Sequence, residues 1–517
     1  MKRILQLFFT LIIFVSYLPH SIAQNAVPDN FEQWVEEGLA EWNIPGITVS
    51  LVKDGEVIYT RGLGIKKLSS REPVDEHTQF GIASVSKHMT ATALGILADR
   101  GEIDWDDRVI DHVPWFQLSD AHATATVTIR DLLTHQVGIG RMLGNRQQFM
   151  TQRGTEELLY RMRYHDFEQP FRSSYVYSNV MYTLAGHIIK EVTGQEFGDF
   201  LETELFGPLE MDRTVSTIND LDEENAAWPH QEISGEVVEI PRRNWDNAAP
   251  AGGVNSTATD MARWMKFQLG TPGSHNENEL VRPETMQTIQ TPKVAQNIGT
   301  VTASQSSYGF GLSITDYNGF RQLSHGGATD GMNSVYILLP ELDMGVIVIT
   351  NTFSSFQQAV ARTLIDHHID PQADIDWNRF YRDNYLDRYE RTMERREEFE
   401  ASRISGTTPA RSLTSYTGTY KDELYDNANI FLENDQLVIR LWDDENITAD
   451  LEHWHYDTFR VNWRNPALRE DFLTFRLGID GQVESLDKRF TLRPVMLQVG
   501  TYPTDYYRIV NFEKTEE

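Results

Sequence analysis

Ser84-Val85-Ser86-Lys87 places a hydroxyl and an amine three residues apart. On a helix these two side chains share one face, so the amine lies within reach of the hydroxyl. An amine whose pKa is lowered by burial can take the hydroxyl proton and make the oxygen a nucleophile. A serine at a helix N-terminus also directs its backbone N–H at an oxyanion on the substrate. The pattern predicts acyl transfer at Ser84.

The spacing alone is weak evidence, because Ser-x-x-Lys arises by chance about once or twice in a chain this long. Ser485-Leu486-Asp487-Lys488 is a second match, in a strand-like region where no helix N-terminus is expected. Tyr177-Ser178-Asn179 likewise has an echo at Tyr425-Asp426-Asn427. The order of the motifs along the chain and the elements predicted beside them therefore indicate which copy of each motif is functional.

Three motifs follow one another with elements that could position them. Ser84–Lys87 opens a predicted helix, Tyr177-Ser178-Asn179 precedes a second helix, and His325-Gly326-Gly327 ends a predicted strand. In this order they resemble the Ser-x-x-Lys, Tyr-x-Asn and Lys/His-x-Gly motifs of the serine β-lactamase and penicillin-binding-protein superfamily, in particular its class C β-lactamase-like peptidases and esterases. The resemblance covers roughly residues 30–370. Supporting stretches are Leu132-Leu133-Thr134-His135, Leu205-Phe206-Gly207-Pro208-Leu209 and Pro250-Ala251-Gly252-Gly253-Val254.

The resemblance implies catalytic roles for three residues. Ser84 would be acylated, and Lys87 and Tyr177 would share the general acid and base work. Tyr177 would pass a proton to the leaving group. The Glu-x-x-x-Asn arrangement of class A β-lactamases has no obvious counterpart after this motif, so deacylation would rely on Tyr177.

The resemblance also implies substrate-binding residues. Asn179 would orient the lysine and bond the acyl side of the substrate, and His325 would line the strand beside it. The oxyanion hole would be the backbone N–H groups of Ser84 and Ala328. Gly326 and Gly327 would let the backbone approach closely.

His325 stands where penicillin-binding proteins and most β-lactamases have lysine. An unperturbed histidine is mostly neutral at pH 7, so it holds a substrate carboxylate less firmly than lysine does. This favours an aminopeptidase, D-peptidase or esterase acting on a small peptide or ester. The alternatives are a β-lactamase or D-Ala-D-Ala carboxypeptidase, and a catalytically silent protein that binds peptidoglycan or a partner.

The first 370 residues predict an α+β domain in which helices flank a sheet of antiparallel strands, with a helical subdomain. An amphipathic helix is predicted from Phe31, and a hairpin turns at Asp54-Gly55. The predicted later strands are Tyr308–Thr315, Phe320–Ser324, Asn333–Leu339 and Met344–Thr350.

The C-terminal part differs in character. Residues 374–403 predict a charged connecting helix, and short strands from Ser412 predict a small all-β barrel. This barrel resembles the lipocalin-like domain of some of these peptidases, which implies shaping of active-site access and support for homo-oligomers. The predicted domains are a signal peptide at 1–23, a hydrolase domain at 24–372, a helical linker at 373–411 and the barrel at 412–517.

The N-terminus predicts export. Lys2 and Arg3 precede an apolar run, and Ser21-Ile22-Ala23 offers a cleavage site after Ala23, as in a secretory signal peptide. We expect a periplasmic or secreted protein with no stable membrane insertion after cleavage.

Charge and composition narrow the function classes. A net charge of −30 disfavours nucleic acid and anionic membranes as partners, and the absence of cysteine excludes disulfides and thiolate chemistry. His453-Trp454-His455 puts two imidazoles on one strand face, but without a third ligand nearby we interpret them as structural. We expect no metal and no cofactor.

Overall fold

A computed structural model describes residues 25–140, 153–233, 235–270, 280–296, 305–329, 331–373, 375–465, 468, 471–489 and 509–515. These residues form an antiparallel sheet flanked by helices, and a closed antiparallel barrel follows it in the chain. The predicted fold class, α+β with a C-terminal all-β barrel, is confirmed. The predicted signal peptide lies outside the described residues.

The sheet is formed by both ends of the first domain, in the order β2-β1-β12-β11-β10-β9-β8-β7. Its three central strands, β1, β12 and β11, are buried over almost their whole length, as expected when helices cover both faces. The strands are β1 Gly46–Lys53, β2 Glu56–Gly64, β7 Val294–Ala295, β8 Ser306–Tyr308, β9 Ser313–Tyr317, β10 Phe320–Thr329, β11 Met332–Leu339 and β12 Met344–Thr350. Two short strands, β3 Phe80–Gly81 and β6 Asn255–Ser256, pair beside the sheet, and β4 His230–Ile233 pairs with β5 Glu236–Glu239.

Helices pack on both faces of the sheet. α1 and α11 share one hydrophobic cluster with β1, and α2 and α9 share another with the opposite face. The helical subdomain lies in the chain between β2 and β7. The helices are α1 Phe31–Glu41, α2 Ser86–Arg100, α3 Val109–His112, α4 Ala121–Thr126, α5 Ile129–Leu133, α6 Thr155–Tyr160, α7 Asn179–Thr193, α8 Phe197–Leu201, α9 Ala258–Leu269, α10 Pro283–Ile289, α11 Phe356–Ile369 and α12 Trp377–Ala401.

Two strands differ from the prediction. The predicted strand 308–315 is split into β8 and β9, because Gly311 has a φ of +78° and lies so close to α2 that a Cβ would meet His88 Cα at 2.7 Å. β10 does not end at Ser324 but continues to Thr329, since its pairing with β11 extends to Thr329–Met332. The second difference places the glycine motif within the strand.

α12 connects the two domains and is anchored at both ends. Near its start, the Trp377 indole donates to Asp366 at 2.8 Å. Near its end, Phe399 stacks on Trp454 of the barrel with ring centroids 5.5 Å apart. The described helix occupies Trp377–Ala401, inside the predicted 374–403. None of the described helices combines the length and apolar character needed to span a bilayer.

Eight strands close the C-terminal barrel in sequential order. Inward-facing apolar side chains fill it, as expected for a small barrel. The strands are β13 Gly418–Asp422, β14 Asp426–Glu433, β15 Gln436–Leu441, β16 Thr448–His455, β17 Thr458–Trp463, β18 Asp471–Leu477, β19 Val483–Arg489 and β20 Ile509–Lys514.

The barrel also contacts the helical subdomain. Asp426, at the start of β14, accepts from Arg153 at 2.7 Å and from Arg161 at 3.2 Å. Arg161 additionally donates to the carbonyl of Glu423 at 2.6 Å. Both guanidinium side chains are mostly buried, at 10% and 18% exposure, whereas the Asp426 side chain is 40% exposed, so the ion pairs lie at the edge of the contact.

Candidate active site

Ser84 lies in a single 3₁₀ turn, Ala83–Val85, which leads directly into α2. Within the described run from Thr78 to Leu97, Ser84 alone is not buried. Ala83 adopts a φ of +50°, a left-handed conformation that costs a residue with a Cβ about 1 kcal/mol or more. The fold therefore presents one hydroxyl from an otherwise buried segment.

Hydrogen bonds to a second segment of the chain, at Val254, stabilise this turn. The Ser86 hydroxyl donates to Ala83 O at 2.7 Å and accepts from Val254 N–H at 3.2 Å. The N–H of Ile82 donates to Val254 O at 3.0 Å. These bonds hold the strained turn against the stretch that contains Gly252 and Gly253.

Lys87 is fully buried one helical turn after Ser84. Its Nζ lies 3.1 Å from Ser84 Oγ and donates to Asn179 Oδ1 at 2.5 Å and to Ala251 O at 2.6 Å. These three partners are neutral oxygens. Asn179 and Ala251 thereby hold the amine beside the nucleophile.

Tyr177 reaches the same hydroxyl from the segment before α7. Its Oη lies 2.9 Å from Ser84 Oγ, and Lys87 Nζ lies 4.8 Å from the centre of its ring. The structure thus brings the hydroxyl, the amine and the phenol together, and Asn179 at the start of α7 orients the amine.

The glycine motif on β10 forms the opposite wall. The pairing of β10 with β9 ends at Ser324–Ser313, so the strand edge from His325 onward faces the nucleophile turn. A Cβ on Gly327 would lie 2.2 Å from Ile82 O and 3.1 Å from Ala83 Cβ, so only glycine permits this approach. A Cβ on Gly326 would meet nothing closer than 3.8 Å, so the expected need for glycine does not extend to that position. Ala328 follows on the same strand.

His325 lies beside this wall and is 8% exposed. Its Nδ1 is 2.7 Å from Gly326 O, and its Nε2 is 3.1 Å from the hydroxyl of Tyr308. We assign the ring hydrogen to Nδ1 because a carbonyl can only accept; Nε2 of the neutral ring then accepts from Tyr308. Burial raises the pKa of Tyr308 well above its ordinary range, so this phenol keeps its proton.

A cavity of about 60 Å³ lies beside the nucleophile turn. It reaches Gly252, where an added Cβ would be 3.6 Å from Ser84 N, and Thr329 on β10. Ile218, Leu221, Trp245 and Met332 give it apolar walls, and Arg242 and Arg243 also line it. The cavity is therefore placed to receive one side of a substrate bound at Ser84.

Comparison with known proteins identifies the family. The sequence model of the Beta-lactamase family matches residues 31–369. The chain belongs to the Beta-lactamase family. A model described as "Domain of unknown function (DUF3471)" matches residues 402–498.

Two named relatives align with this chain over most of its length. "Unguisins hydrolase ungD'" of Aspergillus campestris is 26% identical over 490 residues, which are 90% of this chain and 87% of that protein. "Protein flp" of Staphylococcus aureus strain N315 is 27% identical over 344 residues, 64% of each chain. The first of these alignments extends over most of the barrel as well as the Beta-lactamase domain.

Solved structures show the same fold. The octameric penicillin-binding protein homologue from Pyrococcus abyssi has a TM-score of 0.60 at 21% identity, covering 94% of this chain and 99% of its own. A β-lactamase from Sulfitobacter sp. EE-36 has a TM-score of 0.55 at 22% identity, covering 66% of this chain and 99% of its own.

The second copies of the family motifs lie elsewhere. Ser485 and Lys488 are on strand β19, where a three-residue spacing points side chains to opposite faces. Lys488 is buried in an ion pair with Asp471 at 2.8 Å, and Asp426 is the barrel's partner of the subdomain arginines. They are structural residues of the barrel.

His453 and His455 have structural contacts too. The ring of His453 lies 2.8 Å from Tyr456 O, and His455 Nδ1 is 3.4 Å from the N–H of Ile404. In the part of the chain that the structure describes, no set of three His, Asp or Glu side chains forms a metal-binding group.

Three neighbours of the site were not assigned by sequence reasoning. The carbonyl of Ala251 and the phenol of Tyr308 have no side-chain motif that predicts them. His135 falls in a stretch that resembles the family, but only its contacts with Tyr177 reveal where that loop lies.

Proposed function

We propose that this Beta-lactamase family member is an exported serine hydrolase that cleaves an amide or ester bond through an acyl-enzyme on Ser84, with aminopeptidase-, D-peptidase- or esterase-like specificity. One observation carries the proposal. The single hydroxyl that emerges from a buried segment lies within 3.1 Å of Lys87 Nζ and 2.9 Å of Tyr177 Oη.

In the acylation step, Ser84 Oγ attacks the substrate carbonyl carbon as its proton passes to the Lys87–Tyr177 pair. The carbonyl oxygen becomes an oxyanion, held by the N–H groups of Ser84 and Ala328. The bond to the leaving amine or alcohol then breaks, and Tyr177 supplies the proton that the leaving group takes.

Deacylation reverses the proton path. A water molecule attacks the acyl carbon while Tyr177 accepts its proton, and the bond to Ser84 Oγ breaks as that oxygen regains a proton. The products are a carboxylic acid and the free enzyme. Asn179 keeps Lys87 in place throughout, because its side-chain oxygen accepts from the amine at 2.5 Å.

The hydrogen bonds of His325 support a substrate without a carboxylate next to that strand. In the neutral tautomer assigned above, Tyr308 donates to Nε2, and a histidine places no permanent charge at the position that most β-lactamases fill with a cationic lysine. A relative that aligns with 90% of this chain is named a hydrolase, which agrees with bond cleavage.

A β-lactamase or D-Ala-D-Ala carboxypeptidase is the second candidate. The observation in its favour is that two arginines line the cavity. Arg242 and Arg243 line the cavity and could attract an anionic group. However, the Arg242 guanidinium is already bonded to Glu223 at 2.7 Å and to the carbonyls of Ala226 and Ala227.

A substrate panel separates the two candidates. Purified protein would be given p-nitrophenyl acetate, D-alanine p-nitroanilide and nitrocefin under identical conditions. We expect ester or anilide cleavage to exceed nitrocefin cleavage. Fast nitrocefin turnover with neither other activity would reverse the order of the two proposals.

A silent, binding-only protein is tested by covalent labelling. A fluorophosphonate probe should label the wild type and fail to label Ser84→Ala. Ser485→Ala, in the second Ser-x-x-Lys copy, is the matched control and should label like the wild type. Absence of labelling in a folded wild type would argue for the binding-only alternative.

Export is proposed from the first 23 residues. Cell fractionation followed by N-terminal sequencing would test it: we expect the protein in the envelope or medium, beginning at Gln24. An intact N-terminus on cytoplasmic protein would contradict the proposal.

A further inference from the structure

We propose that His135 is a positioning residue that holds Tyr177 on the nucleophile. The inference rests on the proposed role of Tyr177 in proton transfer. His135 makes no described contact with Ser84, and its effect would be transmitted through the backbone and ring of the tyrosine.

The backbone N–H groups of the residues immediately before and after Tyr177 both donate hydrogen bonds to His135. The N–H of Val176 donates to His135 O at 2.8 Å, and the N–H of Ser178 donates to His135 Nδ1 at 3.1 Å. Since a backbone N–H can only donate, Nδ1 must be the acceptor. One residue thus fixes the chain on either side of the catalytic phenol.

The imidazole also supports the phenol ring directly. Its ring centre lies 4.4 Å from that of Tyr177, at an interplanar angle of 40°. Tyr175, Tyr182 and Tyr308 surround the imidazole at 5.1–5.4 Å, and His135 is fully buried among them. The imidazole is therefore packed on several sides, and the Tyr177 ring packs against it.

The local backbone is adapted to this contact. His135 has a φ of +58°, in the left-handed region where histidine, like asparagine and aspartate, occurs more often than most residues that carry a Cβ. That conformation lets a single residue present its carbonyl and its side chain to the same segment. Because the phenol lies at the end of a long side chain, a small movement of residues 176–178 displaces its Oη from Ser84. A misplacement of about 1 Å can lower turnover about 100-fold.

Two substitutions test separately the two contributions of His135, its hydrogen-bond acceptor Nδ1 and its ring. His135→Asn places an amide oxygen the same number of bonds from Cα as Nδ1 and tolerates the left-handed φ, but removes the ring. His135→Phe keeps a ring and removes the acceptor. We expect His135→Phe to lower kcat about 100-fold with little change in KM, and His135→Asn to recover at least tenfold of that loss. The exposed His122→Phe is the matched control and should behave like the wild type.

A double-mutant cycle with Tyr177→Phe decides whether the effect passes through the tyrosine. All variants would be checked by circular dichroism and thermal melting, and measured for ester turnover and fluorophosphonate labelling rate. In the Tyr177→Phe background, we expect His135→Phe to cause less than a threefold further loss. If His135→Phe does not fold, His135→Gln, which moves the acceptor one bond outward, replaces it with the same expectation.

A failure of the proposed function of Tyr177 and a failure of the positioning role of His135 give different results. Wild-type turnover in Tyr177→Phe would overturn the proposed function of Tyr177. A severe loss in Tyr177→Phe combined with a fully additive loss from His135→Phe, or wild-type turnover in His135→Phe, would overturn the positioning role alone.

Discussion

The phenol oxygen of Tyr308 lies 3.1 Å from Nε2 of His325, on the strand that borders the nucleophile. Tyr308 is 1% exposed and belongs to β8, which is separated from β10 in the sheet by β9. In the neutral tautomer with its hydrogen on Nδ1, His325 accepts from the protonated phenol, so both ring nitrogens have a partner without a charge on the imidazole. The relationship makes a prediction about specificity.

His325→Lys should shift preference toward substrates that carry a carboxylate. A charge-assisted hydrogen bond contributes about 1.5–3 kcal/mol, so the kcat/KM ratio of nitrocefin to p-nitrophenyl acetate should rise about 10-fold or more. His325→Gln, which stays neutral, is the control and should leave the ratio unchanged. A ratio that is identical in the Lys and Gln variants would mean that this position does not face the carboxylate.

Lys87→Ala should lower turnover by several orders of magnitude, because the only described amine within hydrogen-bonding distance of Ser84 Oγ is lost. Steady-state ester hydrolysis measures the effect, and circular dichroism should show an intact fold. Lys190→Ala, at the exposed end of α7, is the control. Near-wild-type activity in Lys87→Ala would mean that the base is another group.

Gly327→Ala should be far more damaging than Gly326→Ala. The added methyl at 327 would lie 2.2 Å from Ile82 O, whereas the methyl at 326 has no neighbour within 3.8 Å. Overpacking of this kind typically costs about 1–3 kcal/mol and would push β10 away from the nucleophile turn. Thermal unfolding and ester turnover, measured on both variants, test this. Equal losses in the two would contradict the close approach at 327.

Asp426→Asn should loosen the barrel from the helical subdomain without unfolding either part. The substitution removes the negative charge shared by Arg153 and Arg161, whose side chains are mostly buried in the contact. We expect faster tryptic cleavage between the domains and earlier unfolding of the barrel in a calorimetric scan.

Glu433→Gln is the control for this barrel variant, because its partner Arg464 lies on the exposed surface of the barrel. Exposed pairs of this kind contribute about 0–1 kcal/mol. Identical cleavage in Asp426→Asn and Glu433→Gln would show that the ion pairs do not hold the domains together.

Local patterns predicted much of the fold. Gly101 and Gly194 follow α2 and α7 with φ values of +72° and +73°, the left-handed conformation that makes glycine the common residue after a helix. Asp54-Gly55 gives the hairpin between β1 and β2. The split of β8 from β9 was missed, because it depends on how closely Gly311 approaches His88 across the fold.

Chemistry carried by residues that are neighbours in the chain is readable from the amino-acid pattern alone. Ser84 and Lys87 are one helical turn apart, and Tyr177 and Asn179 are two residues apart, so each pair is readable as a motif. The family, the α+β class and the C-terminal barrel follow from such patterns as well.

The contacts that hold these groups in place come from other parts of the fold. Ala251 supplies a carbonyl to Lys87, His135 brackets Tyr177, and Tyr308 bonds His325. Each of these contacts joins segments that are distant in the chain or separated by a loop. Their partners are backbone atoms or ordinary aromatic side chains, which carry no spacing rule. Packing of the whole domain brings these groups together, and for that reason no local sequence pattern predicts their contacts.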